Sequence, residues 1–348
     1  MMLDGITSEL KLCQASTTSH EEHKQLESTP RISIDDSSSN LSTQSIKHYV
    51  EYRHIYTGEV IYRHEITRPD FVSEVGGDPS SRGMPMFQIV TTYTTRQSDS
   101  SKWSSLAAEA DLPVTSLPKR SMHIHSPTII NALQSVVEYY PDQDLAESPI
   151  IIQEPYAVLA HHEKQLAEFR EKCKPKRDQS FCIREKDAYE HLGLLLDFMD
   201  KHIMPAVREE RERNAKGMCT FDMLWVSLKP GTTIRCRTRG SSIWEGYVVK
   251  SICGGTFQKP TVPWSITYWC LKYDGEYLGR YENILSYTKF DGESIIAPIA
   301  MIVNFNEKLG PEDQALVERG KEYYGMLKKR CLHYKGTTAN FPHTKVSG

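Results

Sequence analysis

Polar and apolar residues alternate along several stretches of the chain, and this alternation predicts β-strands. Apolar or aromatic residues occupy most second positions from 46 to 52 and from 60 to 66, with Thr57-Gly58 between the two stretches. A period of two places successive side chains on opposite faces of a strand, and glycine adopts the backbone angles of tight turns. The pattern therefore predicts a hairpin, and the β-branched stretch 87–95 predicts a further strand.

Apolar residues recur every three or four positions in the middle of the chain, and this spacing predicts three amphipathic helices. The first begins at Ser126-Pro127, where a good N-cap residue precedes a proline suited to the first helical turn. The second follows Glu154-Pro155 and reaches Phe169, and the third has an apolar stripe over 188–203. We expect Pro205 to kink or end the third helix, and we interpret the charged run REERER after it as a solvated helical face.

Beyond Thr220 the pattern returns to short alternating stretches separated by glycine-containing turns. Asp274-Gly275 lies between two of these stretches and is typical of a hairpin turn. Five or so closely spaced strands predict a small antiparallel sheet or a partly closed barrel, and a last helix is predicted from Pro311. The predicted fold class is α+β: amphipathic helices packed with antiparallel β-sheet, including a small C-terminal barrel-like sheet.

Composition and pattern divide the chain into parts. Residues 1–45 are rich in Ser, Thr, Gln and Glu and predict a disordered tail. A mixed α/β region is expected over 46–228, with a Ser-rich mobile linker near 97–120. An antiparallel β-rich subdomain closed by the C-terminal helix is expected over 229–335, followed by a flexible tail over 336–348.

Charge and hydropathy limit the class of protein. The 348 residues include 42 Lys and Arg against 45 Asp and Glu, a formal net charge of −3, so the chain lacks the positive field of a typical nucleic-acid binder. No apolar run is long enough to span a bilayer, and the N-terminus does not have the pattern of a signal peptide. The eight cysteines form no C-x-x-C pair, which favours reduced, packing thiols. We expect an intracellular protein, cytoplasmic or nuclear, with neither membrane nor nucleic acid as partner.

The sequence offers little sign of catalysis. It contains no G-x-x-x-x-G-K-[ST] phosphate-binding loop and no G-x-S-x-G elbow, so no catalytic, cofactor-binding or metal-binding residues are predicted and the chain is expected not to be an enzyme. One remote alternative is a metal-dependent hydrolase, in which His123 and His125 would share a strand face and the stretch His161-His162-Glu163 would supply further ligands. Otherwise these histidines are half-buried polar residues at the ends of elements.

Aromatic residues are concentrated on the predicted C-terminal strands. The set predicted to form a protein-binding surface is Trp244, Tyr247, Trp264, Tyr268, Trp269, Tyr273 and Tyr277. Aromatic side chains on a small sheet can form a slot for a peptide or a cage for a methylated lysine, and they can equally form the core. The sequence leaves both alternatives open. A stand-alone peptide or chromatin reader is therefore one candidate function.

A second indication comes from resemblance. The stretches that carry it, over roughly residues 120–335, are HIHSPTIINALQSVVEYYP, IIIQEPYAVLAHHEKQLAEFRE, HLGLLLDFMD, TFDMLWVSLKPGTTI, WSITYWCLKYDGEYLGR and ERGKEYYGML. They resemble the N-terminal region, of unknown function, of filamentous-fungal AAA-family ATPases. In that family a linker and a Walker-type ATPase domain follow, whereas this chain ends in TTANFPHTKVSG, so it is expected to be a truncated or a stand-alone copy of the region.

The resemblance implies a role beside an ATPase motor, where N-terminal domains select substrates or adaptors. The partners it implies are a protein substrate or an adaptor, and an AAA ATPase core is a further expected partner. The function expected on this basis is a non-catalytic recognition module.

Overall fold

The computed structural model describes most of the chain between residues 46 and 327. The described ranges are 46–66, 85–96, 114–174, 183–237, 244–258, 260–274, 276–295, 301–302 and 309–327, with the backbone alone at 236–237 and 301–302. The predicted tails at 1–45 and 336–348 lie outside these ranges, as does most of the predicted mobile linker. The described residues belong to one compact unit.

The first sheet has five strands in the order β2-β1-β3-β4-β5. Their bounds are β1 Lys47–His54, β2 Val60–Glu65, β3 Phe87–Thr95, β4 Lys119–Ile124 and β5 Ile150–Gln153. The predicted hairpin is confirmed: β1 and β2 pair antiparallel, and Gly58 between them has a φ of +70°. β1 and β3 pair in parallel, while the remaining neighbours are antiparallel.

The described residues also form six α-helices. Their bounds are α1 Pro127–Val136, α2 Ala157–His161, α3 Glu163–Lys172, α4 Ile183–His202, α5 Met204–Ala215 and α6 Pro311–Met326. The predicted start of α1 is confirmed, since the Ser126 hydroxyl accepts the Ile129 N–H at 3.3 Å. Phe87 of β3 contacts Phe198 of α4 edge-on at 5.5 Å between ring centroids. The first sheet and α4 thus share a core.

One predicted helix is divided in the structure, and the next one ends near its predicted boundary. The stretch after Glu154-Pro155 forms α2 and α3, and α4 ends one residue before Ile203. Pro205 lies in the first turn of α5, where its missing N–H has no helical partner to lose. Of the two expected effects of Pro205, a kink or an end, the structure shows the end of the third predicted helix.

The charged run on α5 is only in part a solvated face. Glu209 pairs with Arg213 at the surface, but Glu210 is fully buried. Its carboxylate accepts from the Thr220 N–H at 2.8 Å and from the Thr220 hydroxyl at 3.0 Å, and it forms an ion pair with Arg213 at 3.0 Å. Glu210 therefore fixes α5 to the strand that follows, which the sequence pattern did not indicate.

The C-terminal part forms a second antiparallel sheet of order β10-β9-β8-β7-β12. Its strands are β7 Thr233–Arg237, β8 Trp244–Gly255, β9 Val262–Tyr273, β10 Leu278–Tyr287 and β12 Met301–Ile302. Two short strands, β6 Met218–Thr220 and β11 Glu293–Ile295, pair beside it, and a 3₁₀ helix spans Leu224–Ser227. The predicted β9–β10 hairpin is confirmed: Asp274 Oδ1 accepts the Tyr277 N–H at 2.7 Å, while Gly275 lies outside the described residues.

One hydrophobic core connects the helices to both large sheets. It includes Met122 and Ile124 of the first sheet, Leu192 of α4, and Val249 and Ile266 of the second sheet. The predicted α+β class is therefore confirmed, and the predicted boundary near residue 228 falls inside this continuous core. Among the described helices, none has the length and apolarity that crossing a bilayer requires.

Candidate functional site

Two neighbouring strands of the C-terminal sheet separate at one end. The β8–β9 ladder starts at the pair of Val248 with Trp269 and continues toward the far ends of both strands. On the other side of this pair, residues 244–247 continue along β7, while residues 270–273 continue along β10. We name the residues 244–247 and 270–273 the arms of a fork. In the described β8–β9 ladder, the two arms are not paired with each other across the fork.

A cavity of about 660 Å³ lies between the two arms and α6. The arms line it with Glu245, Gly246, Tyr247, Cys270, Leu271 and Lys272, and α6 lines it with Asp313, Leu316, Val317, Arg319, Gly320 and Tyr323. More of its surface is apolar than polar. The volume falls in the range of ~300–1,000 Å³ that is usual for binding pockets. We name the cavity between the fork and α6 the fork cavity.

α6 closes the open end of the fork through hydrogen bonds to the backbone of both arms. Arg319 donates to the carbonyl of Trp244 on the β8 arm. On the β9 arm, the Tyr273 N–H donates to the hydroxyl of Tyr323 at 2.9 Å. Arg319 and Tyr323 are four residues apart, so they lie on one face of the helix.

The start of α6 is held by a buried arginine. Arg235 of β7 is 8% exposed and forms ion pairs with Glu312 at 2.8 Å and with Asp313 at 3.0 Å. Its guanidinium carbon lies 5.1 Å from the ring centroid of Trp244. Carboxylates in the first turn are also stabilised by the helix dipole. By contrast, none of the residues of α6 is buried, so polar contacts supply most of its attachment.

Trp264, one of the predicted surface aromatics, lies in the core. Its side chain has no exposed surface, its Nε1 donates to the Phe221 carbonyl at 2.6 Å, and its ring meets Phe257 edge-on at 4.9 Å. A ring without exposed surface cannot contact a partner. We therefore correct the predicted binding surface by removing Trp264, for which the core-packing alternative applies.

The other predicted aromatics lie around the fork on two faces of the sheet. Tyr247 and Tyr268 face the core side and pack edge-to-face at 4.7 Å between centroids. Trp244 and Trp269 are half-buried on the opposite face, where the Arg280 guanidinium lies 4.3 Å from the Trp269 ring centroid. Arginine thus covers a face of both tryptophan rings, which leaves little room for an aromatic cage around a methylated lysine.

The rim of the fork exposes apolar side chains. Tyr273 is 37% exposed and Tyr277 is 73% exposed. The neighbouring exposed apolar residues of the strands and of α6 are Leu271, Leu278, Tyr281, Tyr323 and Tyr324. Clustered exposed apolar residues of this kind are typical of protein-interaction sites.

Cys270 places a thiol in the wall of the fork cavity. Burial raises the pKa of its thiol, Lys272 lowers it, and Glu245 raises it further. The net direction is upward, so the thiol is protonated at neutral pH and is a weak nucleophile. It is also unpaired, as are the other thiols that the structure describes at Cys173, Cys219 and Cys253. Cys270 therefore serves as part of the cavity wall.

The histidines of the metal-site alternative lie on the first sheet. His123 Nε2 is 2.9 Å from the Ser121 hydroxyl, and its Nδ1 is 3.4 Å from the side-chain amide of Gln88. Burial lowers the pKa of both His123 and His125. Among the described residues, no group of three His, Cys, Asp or Glu is placed to hold a metal ion. His123 instead belongs to a hydrogen-bonded polar face.

His161, the second part of that alternative, is a packed histidine with both ring nitrogens engaged. Its Nδ1 lies 3.2 Å from the Tyr140 hydroxyl, and its Nε2 lies 3.0 Å from the Trp225 carbonyl. Since a carbonyl only accepts, Nε2 carries the proton and Tyr140 donates to Nδ1. Burial lowers the pKa of His161 to about 3, so the ring is neutral at physiological pH.

Sequence reasoning missed the helix side of the fork cavity. The spacing of Arg319 and Tyr323 places them on one helix face, but nothing in that spacing indicates which sheet they reach. Gly246 was also missed, although a glycine within a strand marks a place where another group can approach closely. A Cβ on Gly246 would meet no atom within 4 Å, so this position opens into the fork cavity.

One comparison with known protein families bears on this region. Residues 209–301 match the family model of a domain of unknown function, DUF7025. The matched range includes both arms of the fork and ends before α6. No curated protein matches the chain, and no solved structure matches it.

Proposed function

We propose that this chain is a non-catalytic protein-recognition module that binds a segment of a partner protein in the fork cavity. The observation that carries the proposal is the cavity itself: two strand arms separate around a mainly apolar space of about 660 Å³. Apolar lining binds side chains, and backbone edges along the arms offer hydrogen bonds to a polypeptide. An exposed apolar rim extends the contact area around it.

A peptide fits this site better than the methylated lysine of a chromatin reader. A cage requires several ring faces around an open space, whereas the guanidinium groups of Arg235 and Arg280 lie against Trp244 and Trp269. The exposed Tyr273 and Tyr277 stand at the rim instead. The aromatic residues therefore support a site for an extended segment.

Gly246 provides the test of the proposed function. A random peptide library displayed on phage is selected against the chain, and the enriched peptides are titrated by fluorescence anisotropy. Gly246→Leu places a side chain inside the fork cavity and is expected to weaken binding by about tenfold or more, which corresponds to ~1.4 kcal/mol.

The matched control is Gly279→Leu. Gly279 also lies in a strand, and a Cβ added to it would meet no atom within 4 Å. Unlike Gly246, it does not line the fork cavity. The affinity of the peptides for Gly279→Leu is expected to stay within about twofold of their affinity for the unsubstituted chain. A selection that enriches no peptide, or peptides that bind both variants equally, would contradict the proposal.

The finer form of the proposal places this module beside an AAA ATPase core, for which it would select substrates or adaptors. The support is the resemblance of six sequence stretches to the N-terminal region of such ATPases. Two of those stretches, WSITYWCLKYDGEYLGR and ERGKEYYGML, contain the β9 arm and the part of α6 that faces it. Co-elution of the chain with a purified ATPase core of that family, and a changed ATP turnover on adding a fork-binding peptide, test this form.

A further inference from the structure

We infer that α6 is a displaceable cover of the fork, and that the partner is an extended β-strand segment whose backbone replaces the contacts of α6. This inference rests on the proposed function and specifies both its ligand class and its regulation. It follows from the register of the arms, from how α6 is attached, and from the chemistry of the groups that it occupies.

The register shows which groups α6 occupies. Pairs in the β8–β9 ladder next to the fork are Val248 with Trp269 and Val249 with Tyr268. Extending this register by four residues brings Trp244 opposite Tyr273. The Trp244 carbonyl and the Tyr273 N–H are the two groups that α6 engages, through Arg319 and Tyr323. Side chains of a helix therefore occupy backbone positions that a neighbouring strand would use.

The contacts of α6 with the second sheet are of a kind that allows the helix to dissociate locally from the sheet. None of its residues is buried, and Gly320 near its middle lowers helix stability by about 1 kcal/mol relative to alanine. Exposed backbone with few buried contacts marks the segments that open locally while the rest of a protein stays folded. The ion pairs of Glu312 and Asp313 with Arg235 hold its first turn.

The arms favour a strand as the ligand. A strand offers alternating N–H and C=O groups along each edge, so one inserted segment can bond the Tyr273 N–H and the Trp244 carbonyl together. Its alternate side chains would point at the apolar lining, which includes Leu271 and Tyr247. This is strand addition, with affinity from main-chain hydrogen bonds and specificity from side-chain pockets.

Cys270 reports displacement of α6 without any ligand. It lines the fork cavity, whereas Cys253 is exposed and serves as the internal reference. Glu312→Lys removes the ion pair with Arg235 and places a positive charge at the helix N-terminus, and it does not line the cavity. We expect alkylation of Cys270 to become about threefold to tenfold faster relative to Cys253, measured by peptide mass spectrometry.

The matched control is Glu318→Lys, which makes the same charge change on the same helix. In the described chain, Glu318 forms an ion pair with Lys321 at the surface, at 2.7 Å. In Glu318→Lys, the rate of Cys270 alkylation relative to that of Cys253 should equal the value for the unsubstituted chain. Equal ratios for Glu312→Lys and the unsubstituted chain would overturn the role of α6 as a cover.

The ligand class is tested with the peptides selected by phage display. Replacing one backbone amide by an ester removes a single N–H donor and leaves the side chains in place. Esters at the positions inside the fork should weaken binding about threefold to tenfold each, and esters outside it should have no effect. The same unmodified peptides should bind Glu312→Lys more tightly than Glu318→Lys, because less free energy is needed to displace α6.

The outcomes separate this inference from the proposed function. Suppose that peptide binding depends on Gly246 but is unaffected by esters at every position, or is weaker to Glu312→Lys. Either result would be compatible with the recognition function and would overturn the inference that the ligand is a strand displacing α6. Peptides that do not depend on Gly246 would overturn both.

Discussion

The backbone of Gly255 lies directly against the ring of Trp264. A Cβ built on Gly255 would lie 1.9 Å from that ring, and the φ of Gly255 is +51°. Any larger residue must therefore move the indole, whose Nε1 is bonded to the Phe221 carbonyl. One glycine thus fixes the position of the largest side chain in the C-terminal core.

Gly255→Ala should therefore be much more destabilising than Gly58→Ala. Both glycines have a positive φ, but Gly58 has no atom within 4 Å of an added Cβ. We expect the free energy of unfolding to fall by roughly 3 kcal/mol for Gly255→Ala, from strain and overpacking together, and by about 1 kcal/mol for Gly58→Ala, from strain alone. Urea denaturation of both variants measures the difference, and equal losses would show that the contact with Trp264 relaxes freely.

At this scale the sequence predicted the capping residue Ser126 and the turn at Thr57-Gly58, because both depend on local geometry. It assigned no role to the glycine pair at 254–255. The close approach of Gly255 to Trp264 depends on where two strands cross the core. Local sequence carries no information on such a contact.

Among the elements, α6 is held mostly by its polar attachments, so its stability is sensitive to single helical positions. Gly320 lies inside the helix with no atom within 4 Å of an added Cβ. Gly320→Ala should stabilise α6 by about 1 kcal/mol, because alanine has the higher helix propensity. Amide hydrogen exchange along 311–326 should slow by roughly fivefold as local opening becomes rarer.

The reverse substitution on the same helix is the control for this prediction. Ala315 is exposed on α6, and Ala315→Gly should accelerate exchange over the same residues. If both substitutions leave the exchange of α6 unchanged, then its opening is limited by its contacts with the sheet and not by helix stability.

The alternating and helical patterns predicted most strands and helices, and Pro205 correctly marked the end of the third predicted helix. They did not predict the fork, because alternation shows that a strand exists but not where its pairing with a neighbour ends. The Val248–Trp269 pair is the last of its ladder, and the cavity beyond it is lined by α6, which comes more than forty residues after β9 begins. The point at which this pairing ends is therefore part of the tertiary structure, which local sequence patterns do not specify.

At the scale of the whole molecule, buried neutral histidines couple stability to pH. Burial lowers the pKa of His161 to about 3 and that of His162 to about 4. A histidine with a lower pKa in the folded protein binds protons more readily when unfolded. The stability that these groups contribute is therefore present above the unfolded pKa near 6.5 and is lost as pH falls toward the folded values.

The free energy of unfolding should accordingly decrease between pH 7.5 and pH 5. His161 alone accounts for up to about 2 kcal/mol of this loss, by linkage from its folded and unfolded pKa values. Urea denaturation at both pH values should show a loss smaller by about that amount in His161→Gln, which has no titrating ring. An identical pH dependence in the two proteins would show that His161 is protonated in the folded chain near pH 5.

The overall class was within reach of the sequence, since long periodic segments specify helices and strands. The sequence pattern did not predict that the core continues across the boundary near residue 228. Trp225 and Leu228 are buried on one side of that position and Ile234 on the other, and all three belong to one cluster. The change from helical to alternating pattern marks a change of element type, and burial decides whether it also marks a separate folding unit.

The distribution of tryptophans gives the protein two separate optical reporters. Trp225 and Trp264 are 1% and 0% exposed, while Trp244 and Trp269 are half-buried beside the fork. Emission from the buried pair is blue-shifted and shielded from acrylamide until the core unfolds, whereas emission from the fork pair responds to whatever replaces water around it. With Trp103, which lies outside the described residues, replaced by Phe, quenching titrations can follow occupancy and unfolding independently in one sample.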